Sequence, residues 1–80
     1  MTTVRVRLFA ALRELAGTSV VEAEGATVDE VVADLSERFG EPFADIARAG
    51  SVVVDGERAV GTTPLAGTEE IALLPPVAGG

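Results

Sequence analysis

The chain has 80 residues, of which 48% are hydrophobic, and its formal net charge at pH 7 is −7. This length supports one small domain, and the hydrophobic fraction excludes an intrinsically disordered protein. The acidic charge disfavours nucleic acid as a partner, because phosphate backbones repel it. No apolar run approaches the ~20 residues of a membrane span, and no secretory leader opens the chain, so we expect a cytoplasmic protein without a membrane partner.

Several reactive residue types are missing, since the sequence contains no Cys, His, Lys, Trp or Tyr. Without Cys, His and Lys the chain lacks the usual nucleophiles, general bases and soft metal ligands. We therefore expect neither a metal site nor an enzyme that acts alone. The thirteen acidic residues leave a paired-carboxylate mechanism formally open, but no spacing isolates such a pair.

The N-terminal part of the chain predicts a strand, a short helix and a second strand. Val4 to Leu8 alternates apolar and charged residues, which is the period of a strand with one buried face, and Phe9 continues the alternation on the arginine side. Ala10 to Ala16 indicates a short helix that ends at Gly17. Ser19 to Ala23 indicates a second, more polar strand.

A capping-box sequence, Thr27 to Glu30, begins the longest predicted helix. Its apolar residues recur at helical spacing and form one stripe, which comprises Val28, Val31, Val32, Leu35 and Phe39. Gly40 is a natural residue to follow a helix C-terminus, and Pro42 prevents continuation. Between Phe43 and Ala49 we expect no more than one irregular turn.

The C-terminal part of the chain predicts a hairpin and a last strand. Ser51 to Val54 and Arg58 to Val60 flank Asp55-Gly56-Glu57, which contains a favoured hairpin pair. Glu70 to Leu74 forms the last strand after a turn-rich connection. Pro75-Pro76 ends it, because proline cannot donate to a strand ladder.

The order of these elements predicts an α+β domain of the β-grasp, or ubiquitin-like, class. We expect a mixed sheet of about five strands with one main helix packed on one face, because that helix must bury its apolar stripe. The other face is then left largely open. A ferredoxin-like domain is the alternative, but it requires a second long helix after the hairpin. We assign residues 1–74 to the β-grasp domain and residues 75–80 to a flexible C-terminal tail that ends in Gly-Gly.

Strand alternation predicts which side chains the open face carries. The inward residues are Val4, Val6, Leu8, Ile71 and Leu73. The outward residues are Arg5, Arg7, Phe9, Ala72 and Leu74. Because the first and last strands are neighbours in a β-grasp sheet, we expect Phe9, Ala72 and Leu74 to form a partner-binding patch beside the tail, with the arginines at its rim. The alternative is a set of scattered exposed residues, which are common on protein surfaces.

The segment LLPPVAGG, Leu73 to Gly80, resembles the C-terminus of the small subunit of molybdopterin synthase, in the MoaD/ThiS family of ubiquitin-like sulfur carriers. The stretch LFAALRELAG, Leu8 to Gly17, is similar to the first strand and helix of that family. Together with chain length and element order, the resemblance covers essentially all 80 residues. One departure is that the family often carries aromatic residues where this chain has Leu73 and Leu74.

The tail is suited to insertion into a narrow cleft. Its prolines stiffen the exit from the last strand, and its glycines remove side-chain bulk. Six residues can extend ~20 Å, at ~3.3 Å per residue. We therefore expect a partner to bind the residues that precede Gly80, which are Pro75, Pro76, Val77, Ala78 and Gly79. A terminal segment without function is the alternative.

The resemblance implies that the carboxylate of Gly80 is the reactive group. A ubiquitin-activating-type enzyme adenylates it with ATP, and a sulfur donor then displaces AMP to leave a thiocarboxylate. The resemblance also implies that the large subunit of molybdopterin synthase, in a heterotetramer with this chain, supplies the catalytic residues that transfer sulfur to a cyclic pyranopterin precursor. We expect ATP to be bound by the activating enzyme and the chain itself to hold no permanent cofactor.

Two other functional classes remain open. One is a sibling sulfur carrier for the biosynthesis of thiamin, cysteine or another thio-metabolite, although the Pro-Pro pair before Val-Ala-Gly-Gly favours the synthase subunit. The other is a ubiquitin-like modifier or a noncatalytic binding module. A modifier requires an acyl ester or thioester relay to lysines. One carrier can also serve several acceptors.

Overall fold

The computed structural model describes residues 2–76, which form a five-stranded sheet and three helices. The strands are β1 (Thr3–Leu8), β2 (Val20–Glu24), β3 (Ser51–Val54), β4 (Glu57–Ala59) and β5 (Glu70–Leu74). The helices are α1 (Ala10–Ala16), α2 (Val28–Phe39) and α3 (Glu41–Ala49). Within residues 2–76, no helix has the length and apolarity to cross a bilayer.

The strand order across the sheet is β2-β1-β5-β3-β4. β1 and β5 are parallel, and every other neighbouring pair is antiparallel. The first and last strands therefore lie side by side in the middle of a mixed sheet, which confirms the predicted β-grasp class. β2 begins and ends one residue later than predicted.

One face of the sheet and all three helices share a single core. Phe43 and Leu35, which have no exposed surface, belong to it together with the inward residues of β1 and β5. Its buried members are Val4, Val6, Leu8, Leu12, Ala23, Val28, Val31, Leu35, Phe43, Ala47, Leu65, Ile71 and Leu73. Val32 and Phe39 of the predicted α2 stripe are partly buried against this core. The helix layer is thus confined to one side of the sheet, and the other side is open.

α3 is a complete helix of nine residues, where the sequence predicted one irregular turn. Gly40 ends α2 with a φ of 93°, a left-handed value that favours glycine. Pro42 then lies in the first turn of α3, where its missing N–H breaks no hydrogen bond. Phe43 and Ala47, one turn apart, are buried in the core. A second, shorter helix therefore packs beside α2, the main helix, on the same face of the sheet.

The N-terminus of α2 carries the predicted capping box with one difference. Thr27 Oγ1 accepts a hydrogen bond from the Glu30 amide at 3.3 Å, but the Glu30 carboxylate accepts from the amide of Ala26 at 2.9 Å. The first two amides of the helix donate to the backbone carbonyls of Thr63 and Gly61. The loop after β4 is thereby held against the start of α2.

The β3–β4 hairpin has a two-residue turn, Asp55-Gly56. Both residues have positive φ, 50° and 84°, as a type I′ turn requires. Glu57 consequently pairs with Val54, so the predicted strand Arg58 to Val60 is shifted by one residue. This shift sets which side chains of β4 lie on the open face.

Candidate functional site

The face of the sheet opposite the helices carries the residues that alternate with the core. Every predicted inward residue of β1 and β5 is at most 2% exposed, which confirms the predicted alternation. We call the opposite surface the open face. Its residues are Val20, Glu22 and Glu24 of β2, Thr3, Arg5 and Arg7 of β1, Glu70, Ala72 and Leu74 of β5, Ser51 and Val53 of β3, and Arg58 of β4.

One row of the open face crosses all five strands at the level of Arg7. Arg7 lies opposite Val20 on one side and Ala72 on the other. Ala72 in turn lies opposite Val53, and Val53 lies opposite Arg58. Neighbouring strands in a sheet lie about 4.7–4.9 Å apart, so the row is continuous. It has an apolar centre with an arginine on either side.

Phe9 and Leu74 extend this surface toward the point where the chain leaves the sheet. Each directly follows the Leu8–Leu73 pair of the parallel ladder. The backbone of Phe9 is extended, with φ −126° and ψ 150°, so the alternation of β1 continues through it. Phe9 is 40% exposed and Leu74 is half-buried. Phe9, Leu74, Ala72 and Val53 thus lie at the same end of the open face, and we call them the apolar patch.

The backbone turns sharply after Phe9. Ala10 has a φ of 50°, a left-handed value that disfavours a residue with a Cβ by about 1–2 kcal/mol. The amides of Leu12 and Arg13 both donate to the Phe9 carbonyl, at 3.1 and 3.5 Å. These bonds tie Phe9 to the first turn of α1 and fix it at the corner between β1 and that helix.

Arg58 is a candidate site residue that the sequence reasoning missed. Its guanidinium donates to the Ser51 hydroxyl at 3.1 Å, and Ser51 lies opposite Leu74 in the β3–β5 ladder. A positive charge therefore lies beside the apolar patch. The sequence signal was the Asp55-Gly56 pair, because a two-residue turn there places Arg58 opposite Val53.

Charge is divided unevenly along the open face. The row at Arg7 contains two arginines and no carboxylate, whereas Arg5, two positions earlier, lies between Glu22 and Glu70. The two ion pairs found among residues 2–76 both lie within helices. The end of the open face that adjoins the apolar patch is therefore positive, in a protein whose net charge is −7.

A groove of 270 Å³ lies between Arg5, Arg7 and the loop before β5. In this loop the Glu69 carboxylate accepts hydrogen bonds from the amides of Ala66 and Gly67 at 2.8 and 2.9 Å. These bonds lower the pKa of the Glu69 carboxyl below its ordinary value, because they stabilise the charged form. No cluster of metal-ligating side chains occurs in the described part of the chain.

The chain leaves the sheet at Leu74, next to the apolar patch. Pro75 is half-buried and Pro76 is exposed, and neither belongs to a strand, so β5 ends where it was predicted to end. The remaining predicted site residues, Val77 to Gly80, lie outside the described residues, and their roles stay predictions. The structure thus places Phe9, Ala72 and Leu74 beside Pro75, where the C-terminal segment begins.

Comparison with protein families gives one match that spans nearly the whole chain. The model of the ThiS family matches residues 6–80. No curated protein matches the sequence significantly.

Several solved structures share this fold over their full length. Small archaeal modifier protein 1 from Methanosarcina acetivorans has a TM-score of 0.84 and 28% identity, with 100% of this chain and 98% of that chain covered. A chain of the BexX/CysO complex from Amycolatopsis orientalis has a TM-score of 0.79 and 30% identity, with 96% of this chain and 99% of that chain covered. A chain of the complex of subunits 1 and 2 of molybdopterin-converting factor from Helicobacter pylori has a TM-score of 0.70 and 25% identity, with 99% of this chain and 100% of that chain covered.

Proposed function

The chain belongs to the ThiS family of ubiquitin-like sulfur carriers, and we propose that it is the small, sulfur-donating subunit of molybdopterin synthase. The similarity to molybdopterin-converting factor supports the proposal, since a matching chain was solved in complex with a second subunit. In this role the chain is not an enzyme alone, and the large subunit supplies the catalytic residues. A cytoplasmic location is part of the same proposal.

The observation that carries the proposal is the position of the tail exit. β5 is hydrogen-bonded on both sides, to β1 and β3, and its last residue lies in the apolar patch. A partner that covers the patch therefore sits at the base of the Pro75-Pro76 segment. The family match continues to residue 80, so the segment beyond those prolines belongs to the matched region.

The proposed chemistry takes place at the carboxylate of Gly80. A carboxylate is a poor electrophile, so an activating enzyme first joins it to the α-phosphate of ATP and releases pyrophosphate. Sulfide sulfur from a donor attacks the carbonyl carbon, and the C–O bond to AMP breaks. The product is a terminal thiocarboxylate, whose sulfur is the nucleophile in the later transfer. ATP is bound by the activating enzyme in this scheme.

The apolar patch and its flanking arginines form the proposed docking surface for the large subunit. Apolar side chains at the centre of an interface contribute most of its binding free energy, whereas charges at the rim mainly steer association. The surface predicts a partner with an apolar depression bordered by carboxylates, because Arg7 and Arg58 flank the patch. Such a partner would dock without repulsion despite the net negative charge of the carrier.

Replacing Phe9 or Leu74 by Asp is expected to weaken binding to the large subunit by at least about 1–2 kcal/mol, because a charge would be desolvated in the patch. Thr3→Asp is the matched control, since it adds the same charge to the open face at the other end of β1. Calorimetric titration measures the binding free energies, and thermal melts check the folds. Equal affinities for all four proteins would show that the large subunit docks elsewhere.

A protein-modifier function is the second candidate, and the similarity to small archaeal modifier protein 1 favours it. A modifier uses the same activated carboxyl group but transfers the whole chain to an amine. This chain contains no Lys, so it offers no side-chain amine on which a polymer of itself could grow. As a modifier it would therefore not form polymers through its own side chains. A sibling sulfur carrier is the third candidate, and the similarity to the BexX/CysO complex supports it.

The acceptor of the activated chain separates these functions. The thiocarboxylated protein is mixed with the large subunit and the cyclic pyranopterin precursor, and the dithiolene product is measured. Formation of molybdopterin, with one sulfur lost from each carrier chain, is the expected result. If no product forms while proteins in a cell extract become covalently joined to the carrier, the modifier function replaces the proposed one.

A further inference from the structure

We propose that Gly50 is a positioning residue that fixes the direction in which the C-terminal tail leaves the sheet. Gly50 lies between α3 and β3, distant in sequence from the tail but adjacent to its base. This inference rests on the proposed function, because only a tail that must reach a reaction centre needs a defined direction. It assigns a role in activation to a residue that carries no side chain.

The contact between Gly50 and the tail base leaves no room for a side chain. A Cβ at position 50 would overlap the carbonyl oxygen of Leu74 and lie 3.0 Å from its carbonyl carbon. It would also lie 3.1 Å from Cα of Pro75. All three are backbone atoms, so no side-chain rotation could relieve the overlap. Gly50 has a φ of −90°, which any residue can adopt, so the close approach itself requires glycine.

Gly50 is held in place from the helix side. Its amide donates to the carbonyls of Ile46 and Ala47, at 3.0 and 3.3 Å, where α3 ends. α3 is in turn anchored by Phe43, which is completely buried. The next residue, Ser51, begins β3 and pairs with Leu74. The backbone at Gly50 is thus held in place on both sides. The backbone of Leu74 and Pro75, which we call the tail base, packs directly against it.

Other features of the chain restrict the tail base in addition to its contact with Gly50. β1 holds β5 from the opposite side as far as the Leu8–Leu73 pair. The rings of Pro75 and Pro76 fix their φ angles near −65° and remove two backbone rotations. A swing of about 20° at the base of a fully extended ~20 Å tail would move its end by about 7 Å. Misplacing a reacting group by even about 1 Å can slow a reaction about 100-fold.

The test compares two glycines at which an added Cβ would lie too close to backbone atoms. Gly50→Ala pushes on the tail base. Gly25→Ala is the matched control, because a Cβ there would lie 2.6 Å from the Val31 amide nitrogen, at the end of the sheet away from the tail. Both variants are expected to melt at lower temperatures than the wild type. Only Gly50→Ala is expected to slow adenylation, by tenfold or more in single-turnover measurements at saturating activating enzyme. The Kd of its complex with the activating enzyme should change less than threefold.

The remaining outcomes are separable. If Gly50→Ala is adenylated at the wild-type rate, or if both variants slow in proportion to their melting temperatures, Gly50 has only a structural role. Should Gly50→Ala fail to fold, Pro75→Gly tests the premise that adenylation needs a fixed tail direction, because it loosens the chain at residue 75 without adding an atom. A wild-type rate in that variant shows that no fixed direction is needed and overturns the proposal. A wild-type chain that is never adenylated contradicts the proposed function, and the role of Gly50 with it.

Discussion

Adding one residue after Gly80, or deleting Gly80, is expected to abolish thiocarboxylate formation and leave the fold unchanged. The proposed reactive group is the Gly80 carboxylate, and either change would move it by one residue relative to the activating enzyme that the proposal requires. The fold should persist because the buried core residues of the described chain lie between Val4 and Leu73. Mass spectrometry after incubation with the activating enzyme, ATP and a sulfur donor measures the first effect, and circular dichroism the second.

The matched control for the longer variant is one extra residue placed before Met1. It lengthens the chain equally but leaves the Gly80 carboxylate unchanged, so thiocarboxylation should proceed at the wild-type rate. Full thiocarboxylation of the chain extended at Gly80, with the extra residue still attached, would show that the terminal carboxylate of Gly80 is not the reactive group.

Replacing Leu73 by Asp is expected to unfold the protein, whereas replacing Leu74 by Asp is not. Leu73 is 1% exposed in the central strand β5, so its carboxylate would lie in the core without a partner. An isolated buried charge destabilises by several kcal/mol, which is comparable to the whole stability of about 5 kcal/mol expected of so small a domain. Leu74 lies on the open face, where a carboxylate stays hydrated. Thermal melts of the two variants measure the difference.

These adjacent substitutions are chemically identical, so they isolate the face on which each side chain lies. Leu74→Asp should melt within a few degrees of the wild type, and Leu73→Asp should show no cooperative transition. The reverse result would mean that the register of β5 is shifted by one residue, because such a shift exchanges the two faces of a strand.

The faces of β1 and β5 were predictable because burial of one face imposes a two-residue period on the sequence. Arg5 and Arg7 alternate with three apolar residues that are all buried. α3 was not predicted, because Pro42 signals an interruption whether it ends one helix or begins another. The burial of Phe43 resolves that ambiguity, and burial is decided by tertiary packing.

The predicted and the missed parts of the site differ in the same way. Phe9, Ala72 and Leu74 follow from local alternation together with one pairing, that of the first strand with the last. The position of Arg58 could not be predicted without the hairpin register, and the actual register differs by one residue from the predicted one. Gly50 required the contact between a helix end and the base of the tail, and no local pattern in the sequence reports such a contact.

The most direct test of the sulfur-carrier function is the mass of the intact chain after incubation with the activating enzyme, ATP and a sulfur donor. We expect a gain equal to the replacement of one oxygen atom by sulfur, and fragmentation should place that gain at Gly80. The chain contains no Cys that could hold the sulfur as a persulfide, so the measurement has no competing side-chain thiol. An unchanged mass, or sulfur located at any other residue, would contradict the function proposed for this chain.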